Sequence, residues 1–500
     1  MVAKGPGPRW YFGSLASIAG AAACLFFVSY LAAFPQSAPT KHEIGAPSGR
    51  PDIIFVQTPV IISGPLAQRF PKGGRIVRLS PLDAQGAPVH LTNGFFAAAD
   101  PQINFEGTKV LFSGQKNQGE RWQIWAMDLD GSNKRQVTQC AEDCLRGAYL
   151  PDNEIAFTVE ETRGRNLQSQ LAVVKMDGSE FRRITFGTAP FQLETVLLDG
   201  RIVASAPWPL SGAEEGNGSR LLYTLRPDGT ALESFRCEHR QKAIQADVAE
   251  LQDGSLIFVR KTRAAGSAGG ELVRIQQGAP EGALFGTRQG VYQSPRQLSQ
   301  NELLISKKEP SADSTGRFDL YSYYIRTGTV AERLFSDAQL SSIQAVPVAP
   351  HAVPKRYWNT LNPDSNTGNF ISLNSYISSD DSRGLISTPI AQVRVFTMNS
   401  SDGKERSLGE APVETDGSFF VQVPANWPIR FVLLDAKGQL IREERGWIWT
   451  RPGEQRGCTG CHGDKAIAPE NHWPLTLRRF DTPTPLGEID HGSTTTSQAK

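Results

Sequence analysis

The chain has 500 residues, of which 52 are Lys or Arg and 51 are Asp or Glu, so its formal net charge is only +1. Charges that cancel this closely leave no electrostatic footprint for nucleic acid, and nothing suggests a polyanion as partner. The length is enough for two or three domains in addition to any terminal segment.

In chain order, Lys4 and Arg9 precede an uncharged stretch, residues 11 to 34, YFGSLASIAGAAACLFFVSYLAAF. It is long enough to span roughly 30 Å of hydrocarbon, and the positive residues before it would hold the short N-terminus in the cytoplasm. Residues 1–35 therefore read as a cytoplasmic N-terminus and transmembrane anchor: a single pass through an inner membrane, with the bulk of the chain in the periplasm. A signal-peptide cut after Ala38 would leave Gln36 at the third position back, a poor A-x-A match, which favours an uncleaved anchor. Cys24 reads as a cysteine inside this helix, because the apolar run continues past it. Residues 36–50, rich in Pro, Gly and Ser, read as a linker.

Residues 51–350 are organised by repeats. One element is a strand, a tight turn and a second strand: NFEGTKVLFSG at 104, LPDNEIAFT at 150, LLDGRIVASA at 197, LQDGSLIFVR at 251 and LSQNELLISK at 298. A second element alternates with it, its turns marked by Gly86, Gly131, Gly178, Gly229, Gly278 and Gly328. Glycine adopts the positive φ of tight hairpins without a Cβ clash, and the flanking period-two alternation marks half-buried strands. Six outer hairpins predict an all-β fold with a six-bladed β-propeller. Its last blade closes from both ends, SIQAVPVAP at 342 supplying the innermost strand and DIIFVQTPV at 52 and RIVRLS at 75 the next two. A pair of sandwiches with similar turn spacing is the competing reading. DPQINFEGTKVLFSG and AYLPDNEIAF resemble the blade phrase of the TolB-type, WD40-like propeller family, a motif specific for fold and nearly mute about function.

Residues 351–370 read as a linker and 371–450 as a small β-sandwich. Phe419, Val421 and Val423 share one strand face, as do Ile429, Phe431 and Leu433 in the next, and all six read as core. Residues 451–482 form an attachment segment, and 483–500 a disordered tail.

The attachment segment carries CTGCH at 458–462. Two thiols two residues apart can add to the vinyl groups of one porphyrin, and a histidine directly after the second reaches the iron. Cys458 and Cys461 are thus the expected attachment points of one covalent heme c, with His462 as the proximal iron ligand. A local disulfide or half of a zinc site is the alternative. The distal ligand is His472, Met398 or an open position. Trp447, Trp449 and Trp473 flank the motif, either as an apolar heme wall or as plain core. Cys140 and Cys144 are spaced to close a small disulfide in an oxidising compartment, which leaves Cys237 without an obvious partner. Glu142, Asp143, Glu238 and His239 lie on segments expected at one mouth of the ring, where solvated loop charge is the default reading and a metal or ligand site the sharper one.

The run ETDGSFFVQVPANWPIRFVLLDAKGQL followed by GWIWTRPGEQRGCTGCHGDKAIAPEN is similar to the C-terminal part of proteins related to the hydrazine synthase alpha subunit, and IQAVPVAP resembles that family's exit from its propeller. The resemblance covers roughly residues 50 to 480 and implies a c-type heme protein outside the cytoplasm. Hydrazine synthase proper uses more than one heme in this subunit, together with cytochrome partners, whereas this chain has one CxxCH, and Gly463 replaces the acidic residue expected after the histidine. The expectation is a monoheme cytochrome whose propeller face docks a redox partner protein such as another cytochrome. A heme enzyme acting on a small, for example nitrogenous, substrate and a heme-free binding scaffold are the alternatives.

Overall fold

Alternating apolar and polar residues broken by Asp-Gly and Asn-type turns fold back on themselves, and between residues 53 and 347 they do so as antiparallel meanders of four strands. The computed structural model describes residues 49–80, 87–163, 166–210, 219–235, 243–262, 268–276, 282–287, 290–308, 316–377, 386–398, 403–460, 473–479 and 482–487. The expected membrane segment, 11–34, lies outside these residues. Among the described residues no helix is long and apolar enough to cross a membrane.

The first meander takes its innermost strand, Ser341–Pro347, from the far end of the region and pairs it with Ile53–Thr58, then Arg75–Leu79 and Val89–His90. The innermost strands of the next five are Ala97–Ile103, Asp143–Leu150, Gln192–Val196, Ala243–Glu250 and Val291–Gln297, each followed outward by three more strands. One parallel pairing, Arg220 with Ile244, joins the fourth and fifth meanders into a single eight-stranded sheet. The innermost strands touch one another in cyclic order, so the fold is propeller-like, with its apolar clusters between neighbouring meanders.

The outer turns show why glycine recurs. Gly131, Gly178 and Gly229 all have φ above +80°. A Cβ at Gly131 would also lie 2.8 Å from the Leu91 carbonyl oxygen, and one at Gly178 would lie 2.9 Å from that of Val137. At Gly229 the obstacle is the Ile184 carbonyl. Each of these carbonyls directly follows the outermost strand of the preceding meander, so the glycine permits both the turn and the contact between units.

Residues 351–366, expected as a free linker, are instead pinned across the inner turns. His351 donates its amide to the Phe105 carbonyl at 3.0 Å, Lys355 does the same to Leu198 at 2.9 Å, and Arg356 pairs with Asp152 at 2.6 Å. Gly200 lets the strap pass, because a Cβ there would collide with the Lys355 carbonyl. The inner turns leave backbone groups unpaired, and an extended chain satisfies them.

The C-terminal region is a sandwich of two four-stranded sheets. Glu405–Pro412, Gln392–Met398, Ile429–Leu434 and Leu440–Glu443 form one; Gln455–Cys458, Thr367–Ser372, Phe419–Pro424 and Thr484–Pro485 form the other. The six expected core residues are all buried in one cluster, and Phe431 meets Phe370 and Phe419 at ring-centroid separations of 5.1 and 5.5 Å. The boundaries differ from expectation. The sandwich begins at Thr367, takes Gln455–Cys458 from the attachment segment as a parallel edge strand, and takes Thr484–Pro485 from the expected disordered tail as another. Strands of four and two residues carry too little alternation to be read from sequence.

Candidate functional site

The attachment motif is reached through an extended run, residues 446–457, that fastens the sandwich to the ring. Trp447 is buried, donates its amide to the Leu210 carbonyl at 2.7 Å and lies under the Arg430 guanidinium. Trp449 is fully buried between the third and fourth meanders, edge-on to Phe191, with its Nε1 donating to the Gly229 carbonyl at 3.2 Å. Gly187 makes room for that indole. Arg451 donates from Nε to the Asp228 carbonyl at 2.8 Å and stacks over Phe186. The Glu454 carboxylate accepts the amides of Arg451 and Ala231, and Arg456 donates to the carbonyls of Trp449 and Leu232. Of the two readings of Trp447 and Trp449, these contacts support packing: both are buried at the joint between sandwich and ring. Trp473, by contrast, is exposed.

Cys458 is the last residue of the edge strand, in register with Ser372, and its carbonyl accepts the Leu373 amide at 2.8 Å. Its free thiol is half-buried against the sandwich core. Burial pushes that thiol above its ordinary range, against the opposing pull of Arg456. Two residues on, a Cβ at Gly460 would lie 2.6 Å from the Ile377 carbonyl oxygen, so the backbone leading to Cys461 rests directly on the 374–377 loop. Cys461, His462 and His472 lie outside the described residues. The one described residue of the motif, Cys458, fits covalent heme attachment, which needs a free, reduced thiol.

Met398, the other distal candidate, is placed elsewhere. It follows Thr397, which pairs with Ile429, just past the turn that ends Phe419–Pro424. Cys458 sits by Ser372 and Phe419 at the opposite end of that six-residue strand. At about 3.3 Å per residue that strand is roughly 17 Å long.

At the ring, Cys140 and Cys144 are joined by a disulfide. The Asp143 carboxylate accepts the Trp122 amide at 2.9 Å and pairs with Arg121 at 3.1 Å, and Glu142 pairs with Arg183 at 3.0 Å. Both acids thus hold loops together. Cys237, Glu238 and His239 are outside the described residues, and among those described no group of three or more His, Cys, Asp or Glu is placed to hold a metal.

Sequence reasoning missed the centre of the ring. Every innermost strand has a bulge at the same level, and there stand Asp100, Arg146, Glu194, Asp247, Ser294 and Gln344. Five of them, all but Glu194, have φ between +49° and +54°. Gln344 accepts the Asp100 amide at 2.9 Å, Asp100 accepts that of Arg146 at 3.2 Å, and Glu194 accepts that of Asp247 at 2.8 Å. The Arg146 guanidinium bridges Glu194 at 3.0 Å and Asp247 at 3.5 Å. Burial favours the uncharged form of Asp100, but Arg69, Arg146 and the Ser113 hydroxyl outweigh it and hold the carboxyl below its ordinary range. The one available signal was an Asp, Arg, Glu or Gln in a strand otherwise made of small and apolar residues.

Residues 374–463 match the family described as the hydrazine synthase alpha subunit middle domain, a span containing both Cys458 and His462. The hydrazine synthase subunit alpha of Kuenenia stuttgartiensis is 22% identical over 543 aligned positions, covering 82% of this chain and 65% of that protein's own length. The solved structure of Kuenenia stuttgartiensis hydrazine synthase superposes with a TM-score of 0.76 at 18% identity, covering 86% of this chain and 72% of the other, a likeness of fold. TolB from Acinetobacter baumannii gives a TM-score of 0.38 at 12% identity, covering 59% of this chain and 66% of the other, too distant to carry an argument.

Proposed function

We propose, from the premise that the chain is a hydrazine synthase alpha subunit-like protein, that it is a membrane-anchored periplasmic monoheme cytochrome with a six-bladed ring that docks a redox partner. The observation that carries this reading is the support beneath CTGCH: a free thiol at Cys458, on an edge strand held by Leu373 on one side and joined to the ring through Trp449 and Arg456. When bound, heme c supplies a one-electron iron couple. The chain's own part is to hold that group still. Cys458 is in register with Ser372 and packs partly against the sandwich core, and Gly460 lets the backbone lie on the 374–377 loop. The joint through residues 446–457 fixes the attachment point relative to the ring, which suits transfer to a partner seated on the ring.

A second reading, a heme enzyme acting on a small substrate, holds where the distal position of the iron is open rather than filled by His472 or Met398. One experiment separates them: absorption spectra, oxidised and dithionite-reduced, of the full chain produced with heme-maturation machinery, then exposed to carbon monoxide. A c-type spectrum indifferent to carbon monoxide is expected for the electron carrier. A shift on adding the gas moves the assignment to the enzyme, and absence of covalent heme overturns both.

A further inference from the structure

The bulge residues at the centre of the ring form the floor of a small, partly open funnel with a cavity volume of about 40 Å³. Pro101, Ala148, Ala345 and Val346 supply an apolar part of its lining. The floor is polar and mostly saturated. Asp100 takes two bonds from Arg69 and one from the Ser113 hydroxyl, and the Arg146 guanidinium is shared between Glu194 and Asp247.

One sector is different. Arg296 lines the funnel beside Ser294, and its Nη1 donates only to the carbonyls of Val248, at 3.2 Å, and Pro295, at 2.9 Å. Among the described residues no carboxylate lies within ion-pair distance of it; Asp247 and Glu194, the nearest acids in its electrostatic surroundings, are already paired with Arg146. Around the floor the guanidinium groups of Arg69, Arg146, Arg220 and Arg296 stand among the carboxylates of Asp100, Glu194, Asp247 and Glu160, the last accepting the amides of Leu66 and Ala67 with its two oxygens, and Arg296 has no direct carboxylate contact among the described residues. A desolvated cation without an anion is costly, and a planar guanidinium fork matches a carboxylate in two parallel hydrogen bonds.

We propose that the funnel is a binding site for a small organic carboxylate, its anionic end held by Arg296 and the Ser294 hydroxyl and its short apolar body against Ala148, Ala345 and Val346. The apolar lining is what selects an organic acid over an inorganic oxyanion. Five non-glycine residues held at positive φ on one level fit a site whose geometry is set before the ligand arrives. This site is separate from the heme reading and stands or falls without it.

The test is direct binding of propionate and butyrate, with nitrate and phosphate as inorganic comparators, to the full chain by calorimetry and ligand-observed magnetic resonance. Wild type is expected to bind the two organic acids in preference to both inorganic ions. Arg296→Gln should weaken binding about ten- to a hundred-fold, the range for losing a charge-assisted pair, and Arg296→Lys should fall between the two. Gln102→Trp, which narrows the funnel with Arg296 intact, should abolish binding and supplies an independent check if Arg296→Gln does not fold. Undiminished binding by Arg296→Gln, tighter binding of the inorganic ions, or no binding of either acid by wild type would overturn the proposal.

Discussion

The ring and the sandwich are held together by opposite means. In the ring every joint is a repeat: a glycine turn against the preceding unit's carbonyl, as at Gly131, Gly178 and Gly229, and a bulge at the centre of each innermost strand. The sandwich is fastened by unrepeated segments, the strap 351–366 and the run from Trp447 to Arg456. A repeated joint leaves a period in the sequence and spreads the cost of losing one member. An unrepeated joint leaves only a cluster of aromatic and basic residues, and one substitution can undo it.

The largest expected effect follows from that difference. Trp449→Ala empties a fully buried site between two meanders, and the loss should be about 3–5 kcal/mol. If the joint is local, the sandwich of the variant should melt before the ring in a separate transition, with the ring's midpoint as in wild type. A uniform loss across one transition would show that the two regions fold as one unit.

The next effect lies inside the ring. Breaking the buried Arg69–Asp100 pair with Asp100→Asn leaves a guanidinium uncompensated and should cost about 3 kcal/mol at neutral pH. Because the Asp100 carboxyl lies below its ordinary range when folded, its contribution is present above the unfolded value of about 3.9 and disappears as pH falls through the lower folded value. Urea midpoints between neutral pH and strong acid should therefore show a decline in wild type that is smaller in the variant. Equal slopes would contradict the role given to this pair.

A smaller effect sharpens the account of the turns. Gly200→Ala places a methyl group against the Lys355 carbonyl of the strap and should cost about 2 kcal/mol or more, whereas Gly254→Ala, with φ of +77° but open space around it, should cost about 1 kcal/mol. Equal losses would mean that the strap yields and is not pinned.

The same contrast explains what the sequence made legible. Turn glycines at a steady spacing and alternating strands marked the repeats, and the Phe419, Val421 and Val423 face marked the sandwich core. The central bulges were invisible, because setting two residues against one breaks the alternation that reveals a strand. Residues 351–366 lack any periodic pattern and looked free, although backbone groups alone suffice to pin them. Trp447 and Trp449 were ambiguous for a different reason: an aromatic at strand spacing looks the same whether it faces a cofactor, a core or a neighbouring domain. Met398 and Cys458 are both on strands, but only the pairing register shows that they sit at opposite ends of the sandwich.

The central claim, covalent heme at Cys458 and Cys461, is tested most directly by the intact mass of the denatured chain after production with heme-maturation machinery, beside the Cys458→Ala, Cys461→Ala double variant. The account predicts that wild type carries the added mass of one heme through denaturation and that the double variant carries none. A wild-type mass equal to the bare polypeptide would contradict it.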